Sequence, residues 1–299
     1  ALISTTRSRG VDNQTAQKVV DRLKDIPTLP AVVQKIIEIV DSPHTSASDL
    51  NKAISLDQAL SAKVLKLVNS AFYGFPKKIE TLQQAIIILG FNTVRSLALS
   101  ISMLDFFSGR GRKHQLNYAG YWKHSISVSI LSRAIAKKVF PAMAEEAFVS
   151  GLLHDIGLLI LDQFLPDEFE LAYKRMKTQR IPLFRAEKEE LGVTHCDVGR
   201  LLAIKWNLPD PLLYSISSHH EPNPAKDYFP IVSTIHAANV GVKMLGLGSV
   251  GDEEHYRSFH IDEQARRILR LEMDFPQNFA DTLDAGLKEG EDFIRAITS

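Results

Sequence analysis

Phe148-Val-Ser-Gly-Leu-Leu-His-Asp-Ile-Gly-Leu-Leu-Ile-Leu161 is an apolar run with an imidazole and a carboxylate, His154 and Asp155, side by side in its middle. Helical spacing puts Ala147, Gly151, His154 and Leu158 on one face and Phe148, Leu152, Asp155 and Leu159 on the next. The run therefore predicts a buried helix in a helical core. Burying a charge is costly unless it is paired or bound to a metal, so the dipeptide needs partners inside the fold. Gly151 and Gly157 flank it and permit close approach of a neighbouring helix or a ligand.

Working outward, the other periodic segments are helical as well. Val32, Ile36 and Val40 recur at four-residue spacing behind Pro30, a residue tolerated at a helix start. Leu60, Val64, Leu67 and Val68 form a further stripe, and Asn69-Ser-Ala-Phe-Tyr-Gly-Phe-Pro76 reads as a helix end and turn. A helix from Thr81 closes at Gly90, and Asn92 caps the next one, which runs to Phe107. No alternating strand pattern of useful length and no internal repeat is found, so the fold class is all-α. The glycine-rich, basic segment Ser108–Gln115 is the best boundary, read as a solvated linker in preference to a phosphate site. The chain then divides into a flexible tail (1–17), an N-terminal helical subdomain (18–115), a metal-binding helical core (116–245) and a C-terminal helical extension (246–299).

Further histidines fall on inward-facing or helix-end positions. His124, Val128, Leu131 and Ile135 share one stripe. Thr194-His-Cys-Asp197 has the spacing of a capping box, which places His195 in a first helical turn. Asp210-Pro211 opens a helix that ends near His219–His220. A lone histidine on an apolar face is usually a core residue bonded to a carbonyl. Five of them with Asp155, including two adjacent pairs, read as the ligand set of a buried metal centre. His44, His114, His255 and His260 lie in polar or loop contexts and read as surface residues; His236 reads as packing or as support for the site. Cys196 adjoins His195 but points about 100° away on a helix, and reads as a small core residue.

Composition narrows the function classes. Lys+Arg and Asp+Glu are both 35, which argues against nucleic-acid binding driven by excess positive charge. A single cysteine excludes an intramolecular disulfide framework and fits a reducing cytoplasm. No apolar run approaches the ~18–20 residues needed to span a membrane, and the N-terminus lacks the apolar segment of a secretory signal. The chain opens on Ala and not Met, which reads as a trimmed or partial chain.

Ile26-Pro-Thr-Leu-Pro30, Asn69-Ser-Ala-Phe-Tyr-Gly74, Ala85-Ile-Ile-Ile-Leu-Gly90 and Val94-Arg-Ser-Leu97 resemble elements of the HDOD domain. His124, His154-Asp155-Ile-Gly157, His195 with Gly199, Trp206-Asn-Leu-Pro209 and His219–His220 continue the resemblance, which covers residues 18 to 245. HDOD domains are all-helical relatives of the HD and HD-GYP metal-dependent phosphohydrolases and belong mostly to bacterial signalling. The resemblance implies metal ligands at His124, His154, Asp155, His195, His219 and His220, with Asn239 where the last ligand is normally Asp. Three departures stand out. Leu158 replaces a lysine that helps hold phosphate, no Gly-Tyr-Pro loop follows His219–His220, and Asn239 removes one negative ligand. They weigh against cyclic-di-GMP hydrolysis and leave the imidazoles in place.

Nitrogen and oxygen donors of this mix suit divalent transition metals, iron ahead of manganese, nickel and zinc, and the set is large enough for two. The expected function is a cytoplasmic bacterial signal-transduction module whose metal centre binds a phosphate-containing small molecule or a signalling protein partner, without nucleic acid or membrane. The alternative is an active metal-dependent phosphohydrolase on a nucleotide or cyclic dinucleotide, with its reactive water held at Asp155. A third reading is a metal-free helical interaction platform.

Overall fold

Caps set where the N-terminal helices begin: α1 (Ala31–Glu38), α2 (Ala47–Ser55), α3 (Gln58–Val68), α4 (Leu82–Leu89) and α5 (Phe91–Ser108). The Ser46 hydroxyl accepts from the Asp49 N–H while the Asp49 carboxylate accepts from the Ser46 N–H, a reciprocal box that starts α2. Asp57 and Thr81 cap α3 and α4; caps of this kind contribute about 1 kcal/mol each. Asn69 explains the motif it opens. Its amide donates to the carbonyls of Leu65 and Ile79 and accepts from the Ile79 N–H at 2.7 Å, closing the loop between α3 and α4. Gly90 ends α4 at φ +87°, a conformation that favours glycine. The next helix already begins at Phe91, and the Gly90 carbonyl accepts the Val94 N–H, so Asn92 lies inside the first turn and is not the expected cap.

This computed structural model describes residues 21, 31–38, 46–70, 73–108, 115–248 and 260–288, without the side chains of 103–108, 224 and 226. No strand occurs among the described residues, in keeping with the all-α reading. The expected tail (1–17), the 26–30 motif, Val40, the glycine-rich segment 109–114 and His44, His114 and His255 lie outside the described residues. His260 is exposed, as read from the sequence.

The second half holds α6 (Tyr118–Val139), α7 (Ala144–Leu153), α8 (Ile156–Phe164), α9 (Pro166–Gln179), α10 (Leu183–Leu191), α11 (His195–Lys205), α12 (Asp210–Ser218), α13 (Phe229–Met244) and α14 (Glu263–Ile268). Helix α6 packs on α7 and α13, α8 on α11, and α11 on α12, while α5 joins the N-terminal helices to α7. One apolar core runs through both halves, from Val33 to Leu283. A buried carboxylate, Asp162 on α8, accepts from the N–H groups of Gln115 and Leu116 and from the Tyr118 hydroxyl. It pins the start of α6, and so sets where that helix delivers His124.

The run that contains His154–Asp155 is two helices where one was expected. Helix α7 ends at Leu153 and α8 starts at Ile156. The His154 Nδ1–H donates to the Gly151 carbonyl at 2.7 Å, the acceptor that an unbroken helix would offer to the Asp155 N–H. Pro141–Phe164 is also long and apolar enough to cross a membrane by length and composition, contrary to the sequence reading. Its most apolar window is 89% buried within the fold, and the break at the dipeptide lies inside it, so these residues form core.

Candidate metal centre

Four helix ends and one helix middle deliver the cluster. His124 comes from the buried stripe of α6, His154 and Asp155 from the break between α7 and α8, His195 from the first turn of α11, and His219–His220 from the end of α12. Two glycines allow the elements to meet. A Cβ on Gly157 would lie 2.0 Å from the His195 carbonyl oxygen, and one on Gly199 would lie 2.5 Å from Ile216 Cγ2. The capping box expected at Thr194 and Asp197 is present and fixes the turn that carries His195.

Asp155, 2% exposed, sits at the centre. Its Oδ2 faces His124 Nε2 at 3.6 Å and His154 Nε2 at 3.2 Å. Its Oδ1 faces His195 Nε2 at 3.3 Å and His219 Nε2 at 3.2 Å. His220 Nε2 lies 3.2 Å from His195 Nε2, which is itself 3.4 Å from His219 Nε2. The other ring nitrogens are committed. His154 Nδ1 donates to the Gly151 carbonyl, His219 Nδ1 lies 3.1 and 3.2 Å from the Ser215 and Ile216 carbonyls, and His195 Nδ1 donates to Glu187 Oε2 at 2.8 Å. Acceptor-only partners on Nδ1 assign that tautomer and turn the Nε2 lone pairs toward one another. Both ring nitrogens of His124, the Nε2 of His154 and Asp155 Oδ1 are buried without a hydrogen-bond partner. Convergent lone pairs and an unsatisfied carboxylate oxygen form a donor set that fits a cation.

Protonation is uneven across the cluster. Burial holds His124, His154 and His220 below the ordinary imidazole range. Burial also opposes charge on His195, but the Glu187 carboxylate outweighs it and lifts this ring well above that range. Burial likewise opposes charge on His219, yet Cys196 and Asp155 raise it to about 9. For Asp155, burial acts to raise the carboxyl and the surrounding imidazoles, His154 foremost, hold it well below the carboxylate range.

The structure brings together six of the seven residues singled out in the sequence. The seventh, Asn239, is buried on α13 with its Oδ1 unpartnered. His236 bonds at both ring nitrogens, Nδ1–H to the His219 carbonyl and Nε2 from the Asp262 N–H, so it supports the loop carrying His219. Cys196 departs from expectation: it turns into the cluster, with Sγ 3.8 Å from His219 Nε2. Three contributors went unread. Glu187 is fully buried and accepts both the backbone N–H and the Nδ1–H of His195. Phe184 stacks on His220 at 4.4 Å. Lys243, one helical turn beyond Asn239, lines a small pocket with Asp155, Leu158, Leu183, Phe184, His195 and His220. The pocket encloses about 10 Å³, room for about one water. The basic residues near His124 in sequence do not serve here: Lys123 is exposed and Arg133 pairs with Glu145.

The HDOD domain model matches residues 26–222. An uncharacterised protein of Treponema pallidum (strain Nichols) is 28% identical over 247 residues, 79% of this chain and 47% of the relative; the chain thus spans about half of that protein's length. An HDOD domain protein of unknown function from Geobacter sulfurreducens shares 24% identity and superposes with a TM-score of 0.69 over 95% of each chain. A protein of Shewanella amazonensis SB2B, named provisionally as a phosphohydrolase, shares 21% identity over 93% of this chain and 97% of its own, with a TM-score of 0.69. At these identities the two structures speak for the fold.

Proposed function

The chain belongs to the HDOD family, and from that premise we propose that it is a signal-transduction module whose buried cluster holds two divalent metals and binds a phosphate-type anion. One observation carries the reading: Asp155 presents one oxygen to His124 and His154 and the other to His195 and His219. A carboxylate flanked in this way is disposed to bridge two cations. His124 and His154 would hold one, with Asn239 a further candidate donor, and His195, His219 and His220 the other. Iron is the first metal to look for, with manganese, nickel and zinc next. Two bound cations would supply positive charge and Lewis acidity toward a phosphate oxygen.

Lys243 supports the anion. Leu158 stands where catalytic relatives carry a lysine, and it lines the pocket that Lys243 lines from another helix. A buried lysine side chain therefore stands beside the proposed centre from α13 in place of α8. This same observation favours the second reading, a working phosphohydrolase.

Elemental analysis of protein purified without added metal or chelator tests the proposal. About two equivalents of transition metal are expected, and loss of metal in Asp155→Ala and His154→Ala variants that remain folded. Unchanged metal content in both variants would show that the cluster is not the site. Two equivalents together with hydrolysis of phosphodiesters would move the assignment to the enzyme.

A further inference from the structure

Cys196 is the only thiol in the chain, and it stands within the histidine cluster. Together with His195, His219 and His220 it offers four donor atoms that all lie within 4.8 Å of one another. We propose that Cys196 is a metal ligand. The centre then has two unlike lobes on either side of Asp155, one from His124 and His154 and a sulfur-bearing one from His195, Cys196, His219 and His220. The inference rests on the reading of the cluster as a two-metal site and adds the identity of one ligand.

Distances carry it. With metal–nitrogen bonds of about 2.0–2.1 Å, tetrahedral neighbours lie about 3.3–3.4 Å apart. His195 Nε2 is 3.4 Å from His219 Nε2 and 3.2 Å from His220 Nε2. A thiolate at about 2.3 Å from the metal lies about 3.6 Å from a nitrogen ligand, and Cys196 Sγ is 3.8 Å from His219 Nε2. For these three pairs the departure from a closed site is a few tenths of an ångström, and the remaining pairs among the four donors lie within 4.8 Å. A second observation points to a cation in the same place: Asp155 Oδ1 is buried without a hydrogen-bond partner and faces His195 and His219.

Adjacent residues on a helix diverge by about 100°, yet both reach the cluster. His219 enters between them from the end of α12, with its Nε2 near the His195 ring nitrogen and both of its nitrogens within 4 Å of the Cys196 sulfur. The sulfur stands in the first turn of an eleven-residue helix, where the macrodipole favours a negative donor. A soft thiolate among imidazoles selects zinc, cobalt or iron over manganese or magnesium. The lobe without sulfur has no such bias, so the two positions differ in the metals they accept.

Cobalt(II) titrated into the chelator-stripped full chain tests the proposal. We expect two equivalents to bind with a sulfur-to-cobalt charge-transfer band in the near-ultraviolet, which no other thiol in the chain can give. In Cys196→Ser the band is lost while cobalt uptake at the other lobe persists. X-ray absorption at the zinc edge of the unsubstituted, zinc-loaded chain needs no variant and should show a sulfur neighbour at about 2.3 Å. Two equivalents of cobalt with no band and no sulfur neighbour would overturn the Cys196 assignment and leave the two-metal reading intact. No cobalt uptake by a chain shown to be folded by circular dichroism would overturn both.

Discussion

Glu187 joins two jobs at one oxygen, accepting the backbone N–H of His195 at 2.7 Å and its ring Nδ1–H at 2.8 Å. The first anchors the start of α11; the second fixes the tautomer and aims Nε2 at Asp155. Carboxylates behind a ligating imidazole typically change metal affinity by about 10–100-fold. Glu187→Gln keeps the shape and removes the charge. It should weaken metal binding within that range, measured by competition with a chromophoric chelator, while the circular dichroism stays unchanged; equal affinity would remove Glu187 from the site's support. Lys243→Met tests the anion half separately. Binding of inorganic phosphate, followed calorimetrically on the metal-loaded chain, should fall at least tenfold with metal content unchanged. Phosphate affinity equal to the parent's would place the anion elsewhere or nowhere. Both residues lay within reach of the sequence. Leu183, Glu187 and Leu191 share one stripe at four-residue spacing, all buried, so a carboxylate stood on an apolar face. Lys243 follows Asn239 by one turn. Each was masked by its setting, Glu187 by the charged surface residues of Arg-Ala-Glu-Lys-Glu-Glu and Lys243 by the helix end. Cys196 is buried, as read, but its nearness to His219 was not legible: angular divergence on a helix says nothing about a third side chain arriving from another element.

At the scale of elements, the site depends on how closely α8 can approach α11. The Cβ of an alanine at Gly157 would meet the His195 carbonyl carbon and oxygen at 2.8 and 2.0 Å, both backbone atoms of the segment that carries a proposed ligand. At Gly199 the obstacle is the Ile216 Cγ2, a methyl of a buried β-branched side chain that is stiff at χ1 but is not backbone. Overpacking of a core typically costs about 1–3 kcal/mol. Gly157→Ala should fall at or beyond the top of that range and Gly199→Ala within it, as read from urea unfolding. Equal losses would mean that α8 and α11 adjust as rigid bodies and that the backbone contact is not what limits them. Helix class, the capping box at Thr194 and the buried stripe of His124 could be read from local spacing. The break at His154–Asp155 could not, because the apolar pattern is continuous across it. At the break the His154 side chain bonds the Gly151 carbonyl, a contact that periodicity does not encode. At that break the two side chains of the dipeptide meet, with His154 Nε2 3.2 Å from Asp155 Oδ2.

For the molecule as a whole, the cluster links α6, the α7–α8 break, α11 and α12, segments between 118 and 220 that are far apart in sequence. A metal bound there stabilises their assembly, because it binds the folded chain and not the separated ligands. At a free metal concentration about 100 times the dissociation constant the gain is about 2.7 kcal/mol, a shift of several degrees in the melting temperature. Its pH dependence follows from the protons the metal must displace. An ordinary imidazole is neutral above about pH 6.5, so a centre of ordinary histidines would gain little more above that value. His195 is held well above that range by Glu187 against the opposing effect of burial, and His219 is raised to about 9. Each ring with a raised folded-state value stabilises the metal-free fold fully below pH 6.5 and loses that contribution as pH rises through its folded value, whereas the metal-loaded fold carries no such proton to lose. The difference in melting temperature between zinc-loaded and chelator-stripped chain should therefore go on widening from pH 6.5 toward 9. Calorimetry in buffers of different ionisation enthalpy should show proton release on loading at pH 7.5. A difference that levels off at pH 6.5, with no proton released, would mean that His195 and His219 are not displaced by the metal, and the lobe they define would lose its two central ligands.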